Sequence, residues 1–454
     1  MTDVARRIQP PVEVVEIAAK LENAGYETWC VGGGVRDALV GIPSLDWDLA
    51  TAAPPDRIRS LFRRTIPVGE KFGTIVVLDR HNVKHEVTTF RRDVETDGRH
   101  AVVEFGVSLD EDLSRRDFTI NAIAYSPSRG VLHDPFDGIR DLEARVVRAV
   151  GEPGERMRED WLRALRAIRF AARYRFSIEP RTWEAVAASA PYLERLSAER
   201  VKQEIEKTME QVPCPGRAFA MWRESGALGE LVPSLAHISA TDLATLDALA
   251  MPRQAGHSRR RMMRLIALFS AADADRVAAT LRGLRFANTD IRWISDTIQR
   301  WHLLDARMTA ALLRPEGASD AELREWAALA GRTRLAYVLR LAAARWHAMR
   351  EGGGGGSAPP AERVASAYRR AIRTAYRDPI EIADLALNGS DLERLGLSGP
   401  AVGQALQTLL RAVVEDPSAN TPARLEAIIR SEPSSADSRK PSSAGGRQTA
   451  ASDH

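Results

Sequence analysis

Two carboxylates one residue apart, Asp46 and Asp48, stand in the run Leu45-Asp46-Trp47-Asp48-Leu49. In a β-strand, residues i and i+2 point to one face, so this spacing sets the pair side by side with the apolar residues behind. Like charges placed that way repel unless a cation lies between them, and oxygen ligands suit Mg²⁺. A lone Asp-x-Asp is more often a solvated turn; the alternating Leu45, Trp47 and Leu49 make a half-buried strand the better reading. Upstream, Val31-Gly32-Gly33-Gly34-Val35-Arg36-Asp37 follows one strand-like stretch and opens a helix. Glycines there let a phosphate approach backbone N–H groups at a helix N-terminus. Gly33 is the candidate cradle, and Arg36, one turn in, offers a guanidinium fork. A tight turn with no ligand would look the same. In Lys84-His85-Glu86-Val87-Thr88, the residues Lys84, Glu86 and Thr88 share a face. Glu86 is the candidate third carboxylate of a two-metal site for phosphoryl or nucleotidyl transfer, or else an exposed strand glutamate.

Basic residues gather downstream. Arg115-Arg116-Asp117 precedes Phe118-Thr119-Ile120-Asn121. It reads as a helix start capped by Asp117, or as Arg116 facing a nucleotide with Asn121 bracing the loop. Residues 156–175 hold seven arginines against Glu159 and Asp160, expected as one helix from Glu155 to Arg175. A solvated basic face is the plain account. Yet Asp160, Arg163 and Arg166 fall on one broad face, with Arg169 half a turn away from Asp160. A neighbouring Asp and Arg can read a base. Cytosine and adenine both show an amino donor beside a ring-nitrogen acceptor, which a carboxylate and a guanidinium match. Guanine and uracil present the opposite pattern. One pair can therefore accept CTP and ATP and reject GTP and UTP, since each unpaired buried polar group costs about 1–3 kcal/mol.

The elements that must hold these groups divide the chain. Residues 1–150 mix helix-like stretches with strands at Thr28–Val31, Thr74–Asp79 and Val83–Thr89, and Asp56–Phe62 follows Pro54-Pro55 as a helix start. After residue 150 the pattern is helical throughout and no strand is expected. The fold class is α+β: a head with a mixed sheet, then an all-helical body. The chain has 454 residues, 44% hydrophobic and 28% charged, with Lys+Arg 64 against Asp+Glu 61. That is chain enough for several domains and excludes disordered, collagen-like and disulfide-framework classes. The net charge of +3 excludes a uniformly basic coat while leaving room for local patches. Two cysteines, Cys30 and Cys214, cannot build a zinc cage. No run approaches a membrane span, and the N-terminal stretch lacks a signal-like apolar core, so a cytoplasmic protein is expected. Gly352–Gly356 with Ser357–Pro360 reads as a linker, and the stretch from Ser431 is too polar to fold.

Taken together, GGGVRD, LDWDLAT, HEVTTFRRD, RRDFTINAIA, REDWLRALRAIRFAARY and SAERVKQEIEK, in that order over about residues 25–210, resemble the class II tRNA nucleotidyltransferases and bacterial poly(A) polymerases, members of the DNA polymerase β-like superfamily. The resemblance implies a catalytic head (1–150), a base-reading neck (151–230), a helical body (231–350), a linker (351–360) and a tRNA-binding tail (361–430), with 431–454 disordered. It implies Asp46 and Asp48 as metal ligands for Mg²⁺, Gly33 and Arg36 at the triphosphate, and Arg116 on the nucleotide. Asp160 and Arg163 would read the base, with Arg166 and Arg169 nearby. The stretch Gly69–Thr74 lacks the arginine-rich form usual in the poly(A) polymerases. Arg91–His100 resembles the flexible loop associated with the last A addition, and DLALNGSDLERLGLSGPAVGQALQTLLRAVVEDPSANT resembles the tail of CCA-adding bacterial enzymes. The expected reaction is therefore template-independent CCA addition to tRNA from CTP and ATP, with no protein partner. Poly(A) polymerase and a non-catalytic RNA-binding relative are the alternatives. Arg259–Arg261 and Arg264 are candidate RNA contacts.

Overall fold

The computed structural model describes residues 7–44, 46–67, 72–96, 101–250, 256–353 and 357–431. Part of the Gly69–Thr74 stretch, the end of the Arg91–His100 loop, part of the glycine linker and nearly all of 431–454 lie outside these residues. The helix α1 (Val12–Asn23) buries Val14, Ile17, Ala18 and Leu21 along one stripe, the i, i+3, i+4, i+7 pattern of an amphipathic helix. The head continues through β1 (Thr28–Val31), α2 (Gly33–Leu39), β2 (Asp48–Thr51), α3 (Pro55–Leu61), β3 (Thr65–Ile66), β4 (Thr74–Leu78) and β5 (Lys84–Thr89). After a hairpin of β6 (Arg91–Thr96) and β7 (Ala101–Phe105) come α4 (Leu109–Ser114), β8 (Ala124–Ser126), β9 (Val131–His133) and α5 (Gly138–Ala144). Seven strands form one mixed sheet in the order β3-β4-β5-β2-β1-β8-β9. Only the β2/β5 pair is parallel, with Leu49 opposite Val87. That register sets the acidic end of β2 beside Glu86.

The strand β5 alternates as its sequence suggests: His85, Val87 and Thr89 are buried, whereas Lys84 and Glu86 are exposed. The stretch Arg91–His100, expected as a flexible loop, begins as a strand, and residues 97–100 lie outside the described residues. Arg91–Thr96 pairs with Ala101–Phe105, because Val102, Val103 and Phe105 favour a strand and Arg92 reaches Glu104 across the ladder at 2.7 Å. Behind the sheet, Trp29, Val31, Ala50, Phe90, Leu109, Leu113, Ala122, Ala124 and Val150 form one core cluster. Its two leucines seat α4 on the strands.

Beyond the head, a short ribbon of β10 (Val146–Val147) and β11 (Ser177–Ile178) runs parallel, so the helical part does contain one two-residue strand. The expected single helix Glu155–Arg175 is two: α6 (Pro153–Glu159) and α7 (Leu162–Tyr174). Asp160 between them is extended, at φ −156° and ψ 103°. Its carboxylate accepts from the Leu162 N–H at 3.0 Å and its carbonyl from the Arg163 N–H at 2.9 Å. A competing Asp cap thus restarts the helix in mid-run. Then follow α8 (Pro180–Ala188) and α9 (Ala198–Gln211). The chain forms two compact units, one of residues 1–299 with 340–357, the other of 300–339 with 358 onward. The second is helical and has its own core of Leu387, Leu392, Ala405, Leu409, Val413 and Leu425. Among the described residues, no helix is long and apolar enough to cross a membrane.

Candidate active site

The site begins with a close approach. A side chain at Gly34 would begin 2.8 Å from the Trp47 ring and 2.9 Å from the Asp46 carbonyl oxygen. Only glycine lets the Asp46–Asp48 segment lie against α2. Trp47, 4% exposed, anchors that segment by donating from its indole N–H to the Ser44 carbonyl at 3.0 Å. The strand itself starts at Asp48, so Asp46 precedes the strand, whereas both carboxylates were expected on one strand face. Asp46 is exposed and Asp48 half-buried.

Asp46, Asp48 and Glu86 form the acidic wall of a cleft of about 610 Å³. The cleft also takes Gly33 and Arg36 from α2, Arg116 from the segment after α4, Asp160, and Arg163, Arg166 and Arg169 from α7. Every catalytic and nucleotide-site candidate from the sequence therefore lines one cleft, whereas Arg259–Arg261 and Arg264 do not. A larger hollow of about 840 Å³ lies where α2, α5 and α7 end, lined by Arg7, Arg145 and Arg175 with Glu143. Arginines at helix C-termini are ordinary dipole partners, and that hollow lacks the acidic pair.

Electrostatics differ from end to end. At the acidic wall, burial pushes the Asp48 carboxyl up to about 7, the neighbouring charges of Asp46 and Glu86 push the same way, and Arg116 and Arg36 oppose them. A carboxylate so disfavoured fits a site that expects a cation. No three His, Cys, Asp or Glu side chains among the described residues converge as a ready cage. Glu86 thus bears on Asp48 through its charge, and the expected third-ligand geometry is absent. Two carboxylates supplemented by phosphate oxygens and water are the usual way to hold Mg²⁺, and these residues fit it.

The two arginines expected at the triphosphate, Arg36 and Arg116, are braced. Arg36 is 4% exposed. It donates to Asp37 at 2.9 and 2.7 Å and to the Asn121 side-chain oxygen at 2.5 Å, and it lies over Phe170 and Tyr174. Asp37 is held in turn by Arg173 at 3.0 Å and the Tyr174 hydroxyl at 2.5 Å. Arg116 donates to Asp112 at 3.1 Å. A side chain at Gly32 would begin 3.2 Å from the Arg116 guanidinium and 3.6 Å from the Asp48 carboxylate, which places both groups over the glycine turn.

Arg115-Arg116-Asp117 follows the end of α4, with Arg115 as its C-cap, and does not start a helix. Asp117 accepts from the Phe118 N–H and the Asn121 amide at 2.9 and 2.8 Å, and from Arg166 at 2.7 Å. Burial would raise its pKa, but the Arg166 guanidinium and the Asn121 amide outweigh that and hold it at about 2. At the base end, Asp160 accepts from Arg200 at 2.7 Å. Arg163, 9% exposed, donates to the Arg156 carbonyl, Glu159 and the Arg115 carbonyl at 3.1, 2.6 and 3.0 Å. A guanidinium has five N–H groups, so these bonds leave its Nε–H and one Nη2 hydrogen unused. Arg169 pairs with Glu204 at 2.6 Å, both nearly fully buried.

Sequence reasoning passed over Arg200, Lys207 and Gln211, which line the cleft from α9. Their i, i+7, i+11 spacing is the helical-face signal that could have found them. The expectation for Arg264 is corrected. It is 9% exposed and donates to the carbonyls of Met209, Val212 and Pro213 at 2.5, 3.0 and 3.1 Å. It caps the end of α9, whose last carbonyls need donors. Arg261 is likewise engaged, with Glu206 and Glu210.

A mixed-sheet head whose acidic strand edge, glycine turn and arginine helix share one cleft defines a nucleotidyltransferase. A family model described as a poly A polymerase head domain matches residues 28–148, and one described as a probable RNA and SrmB-binding site of polymerase A matches 175–238. The chain is 34% identical over 413 residues to the CCA-adding enzyme of Limosilactobacillus fermentum, covering 89% of this chain and 92% of that protein. It is 34% identical over 423 residues to that of Latilactobacillus sakei, covering 92% and 96%. The crystal structure of the Bacillus stearothermophilus CCA-adding enzyme in complex with CTP superposes with a TM-score of 0.72 at 32% identity, over 95% of this chain and 98% of that one. The chain belongs to the family of CCA-adding enzymes, which are metal-dependent nucleotidyltransferases.

Proposed function

We propose that this protein adds C, C and A, without a template, to the 3′ end of tRNA from CTP and ATP, releasing pyrophosphate. The observation that supports the reading best is that one cleft holds a carboxylate pair, braced phosphate arginines and Asp160 beside Arg163. The RNA 3′-hydroxyl oxygen bonds to the α-phosphorus, the α–β phosphoanhydride bond breaks, and pyrophosphate leaves. Asp46 and Asp48 would hold Mg²⁺, which when bound would supply Lewis-acid activation of the hydroxyl and neutralise charge on the triphosphate. Arg36 and Arg116 orient the triphosphate over the glycine turn, and their bracing by Asp37, Asn121 and Asp112 means little reorganisation is needed on binding. Asp160 takes the amino group of cytosine or adenine, and a free Arg163 N–H reaches the ring nitrogen. Arg200 holds the Asp160 carboxylate in place. Arg166 and Arg169 shape the wall, through Asp117 and Glu204.

In this reading residues 1–150 do the chemistry, 151–230 choose the nucleotide, and the body (231–350) and tail (361–430) hold the RNA, in the cytoplasm. The helix Ala361–Arg377 turns Arg369, Arg373, Tyr376 and Arg377 to solvent, Tyr376 being 70% exposed. Such a face offers guanidinium contacts to phosphates and a ring for stacking. The test is incubation with tRNA lacking CCA, Mg²⁺ and each labelled nucleotide in turn. Addition of two C and one A, then arrest, is the expected product. Incorporation of A alone, or an unending A tail, would overturn it.

A further inference from the structure

Asp112 enters the scheme above only as a brace for Arg116, yet it is fully buried and has further partners. It lies on α4, held to the sheet by Leu109 and Leu113, and it lies outside the cleft lining. One of its oxygens accepts from the Arg91 backbone N–H at 3.3 Å and from Arg115 at 3.1 and 2.7 Å. The other accepts from Arg116 at 3.1 Å. Burial would raise its pKa, but the guanidiniums of Arg116 and Arg115 outweigh that and hold it below the ordinary range.

Arg91 is the first residue of the β6–β7 hairpin, which pairs only with itself and not with the seven-stranded sheet. Arg115 donates to the Arg91 carbonyl at 3.0 Å, and the Arg91 side chain donates to the Phe72 carbonyl. The other foot, Phe105, lies against Gly73, where a side chain would begin 2.5 Å from its ring. The same short helix ends in carbonyls that receive the neck. Ser114 accepts from Arg156 and Arg115 from Arg163, each at 3.0 Å. One buried carboxylate therefore ties the foot of a separately paired hairpin to the arginine over the glycine turn.

We propose that Asp112 is a positioning residue that couples the placement of the β6–β7 hairpin to the grip of Arg116 on the nucleotide's phosphates. Displacing the hairpin pulls on Arg91, Asp112 follows through a direct hydrogen bond, and Arg116 loses its bearing. Nucleotide affinity is then adjustable from a ribbon outside the cleft. The coupling rests on the phosphate role given to Arg116 in the proposed function.

The test is a double-mutant cycle read by calorimetry, with Asp112→Asn, Phe105→Ala and the combination, titrated with Mg²⁺–CTP and with Mg²⁺–tripolyphosphate. Each single change is expected to weaken both ligands by roughly fivefold or more, the range of ordinary intramolecular coupling. The pair together should be little worse than the weaker single variant, because both act on one link. Tripolyphosphate has no base, so a parallel loss puts the lesion at the phosphates and away from Asp160 and Arg163. Thermal midpoints identify variants weakened only by partial unfolding. Unchanged tripolyphosphate affinity in folded Asp112→Asn, or single effects that multiply, would overturn the coupling. Should Asp112→Asn not fold, Phe105→Ala decides alone, since that ring is 38% exposed and its loss leaves the core intact. Tripolyphosphate affinity unchanged there would also overturn it. The measurement uses no RNA, so failure of wild-type protein to add C or A is a separate outcome that strikes the proposed reaction.

Discussion

The two ends of the cleft are built on opposite electrostatic plans. At the acidic end, Asp46, Asp48 and Glu86 gather charges of one sign, and the Asp48 carboxyl is pushed up to about 7. At the arginine end, Arg163, Arg166 and Arg169 each have a carboxylate within 2.7 Å. The first end suits a cation. The second is internally paired, which suits a surface of fixed shape. Unbalanced charge marks where an ion belongs; balanced charge marks where geometry is kept.

Breaking the acidic end should have the largest consequence. Asp48→Asn or Asp46→Ala should lower incorporation on the order of 10³-fold in single-turnover assays, the scale of losing a preorganised charge stabiliser. Gel-shift affinity for tRNA should stay near wild type. Equal loss of binding would show that the pair supports the fold or the RNA instead. At the arginine end, Glu204→Gln should cost about 3–5 kcal/mol in denaturant unfolding, because it strands Arg169 without its buried partner. A cost no larger than a surface change would mean the end is not the balanced network described.

The contrast also has a pH signature. Asp48 ionises at 3.8 when unfolded and at about 7 when folded and metal-free. The folded state therefore binds the extra proton between those values. Stability of the metal-free protein should fall as pH rises from about 4 to about 7 from this group, and level off above it. Asp48→Asn should remove that slope, as should saturating Mg²⁺–CTP. The smallest effects separate the arginines that hold the fold from those that face solvent. Arg264→Ala should lower the thermal midpoint and leave RNA affinity unchanged. Arg373→Ala should do the reverse, weakening RNA a fewfold and reducing the salt slope by about 1.

How far the sequence could be read follows from the same contrast. Asp48 and Glu86 were legible because strand alternation is a local rule, and β5 obeys it residue by residue. The glycine turn was legible because a Gly run between a strand and a helix is a local signal, whereas the close approach of Trp47 to Gly34 was not. The break at Asp160 was not, since seven arginines and a clean apolar stripe favour one helix until a single side chain caps Leu162. Pairings such as Asp117 with Arg166 and Arg169 with Glu204 join residues 49 and 35 positions apart. Periodicity says which face a residue takes and nothing about its partner across the fold. The same limit made Arg264 look available when three carbonyls had claimed it.

The most direct test of the acidic end as a cation site is the number of protons released when Mg²⁺–CTP binds. It can be measured by calorimetry at pH 7 in buffers of different ionisation enthalpy. Because burial pushes the Asp48 carboxyl up to about 7, binding at this pH should release protons, and Asp48→Asn should abolish that release along with tight binding. No proton release by wild type, or an Asp48→Asn variant that binds Mg²⁺–CTP as tightly, would contradict the proposal that this end of the cleft holds the cation.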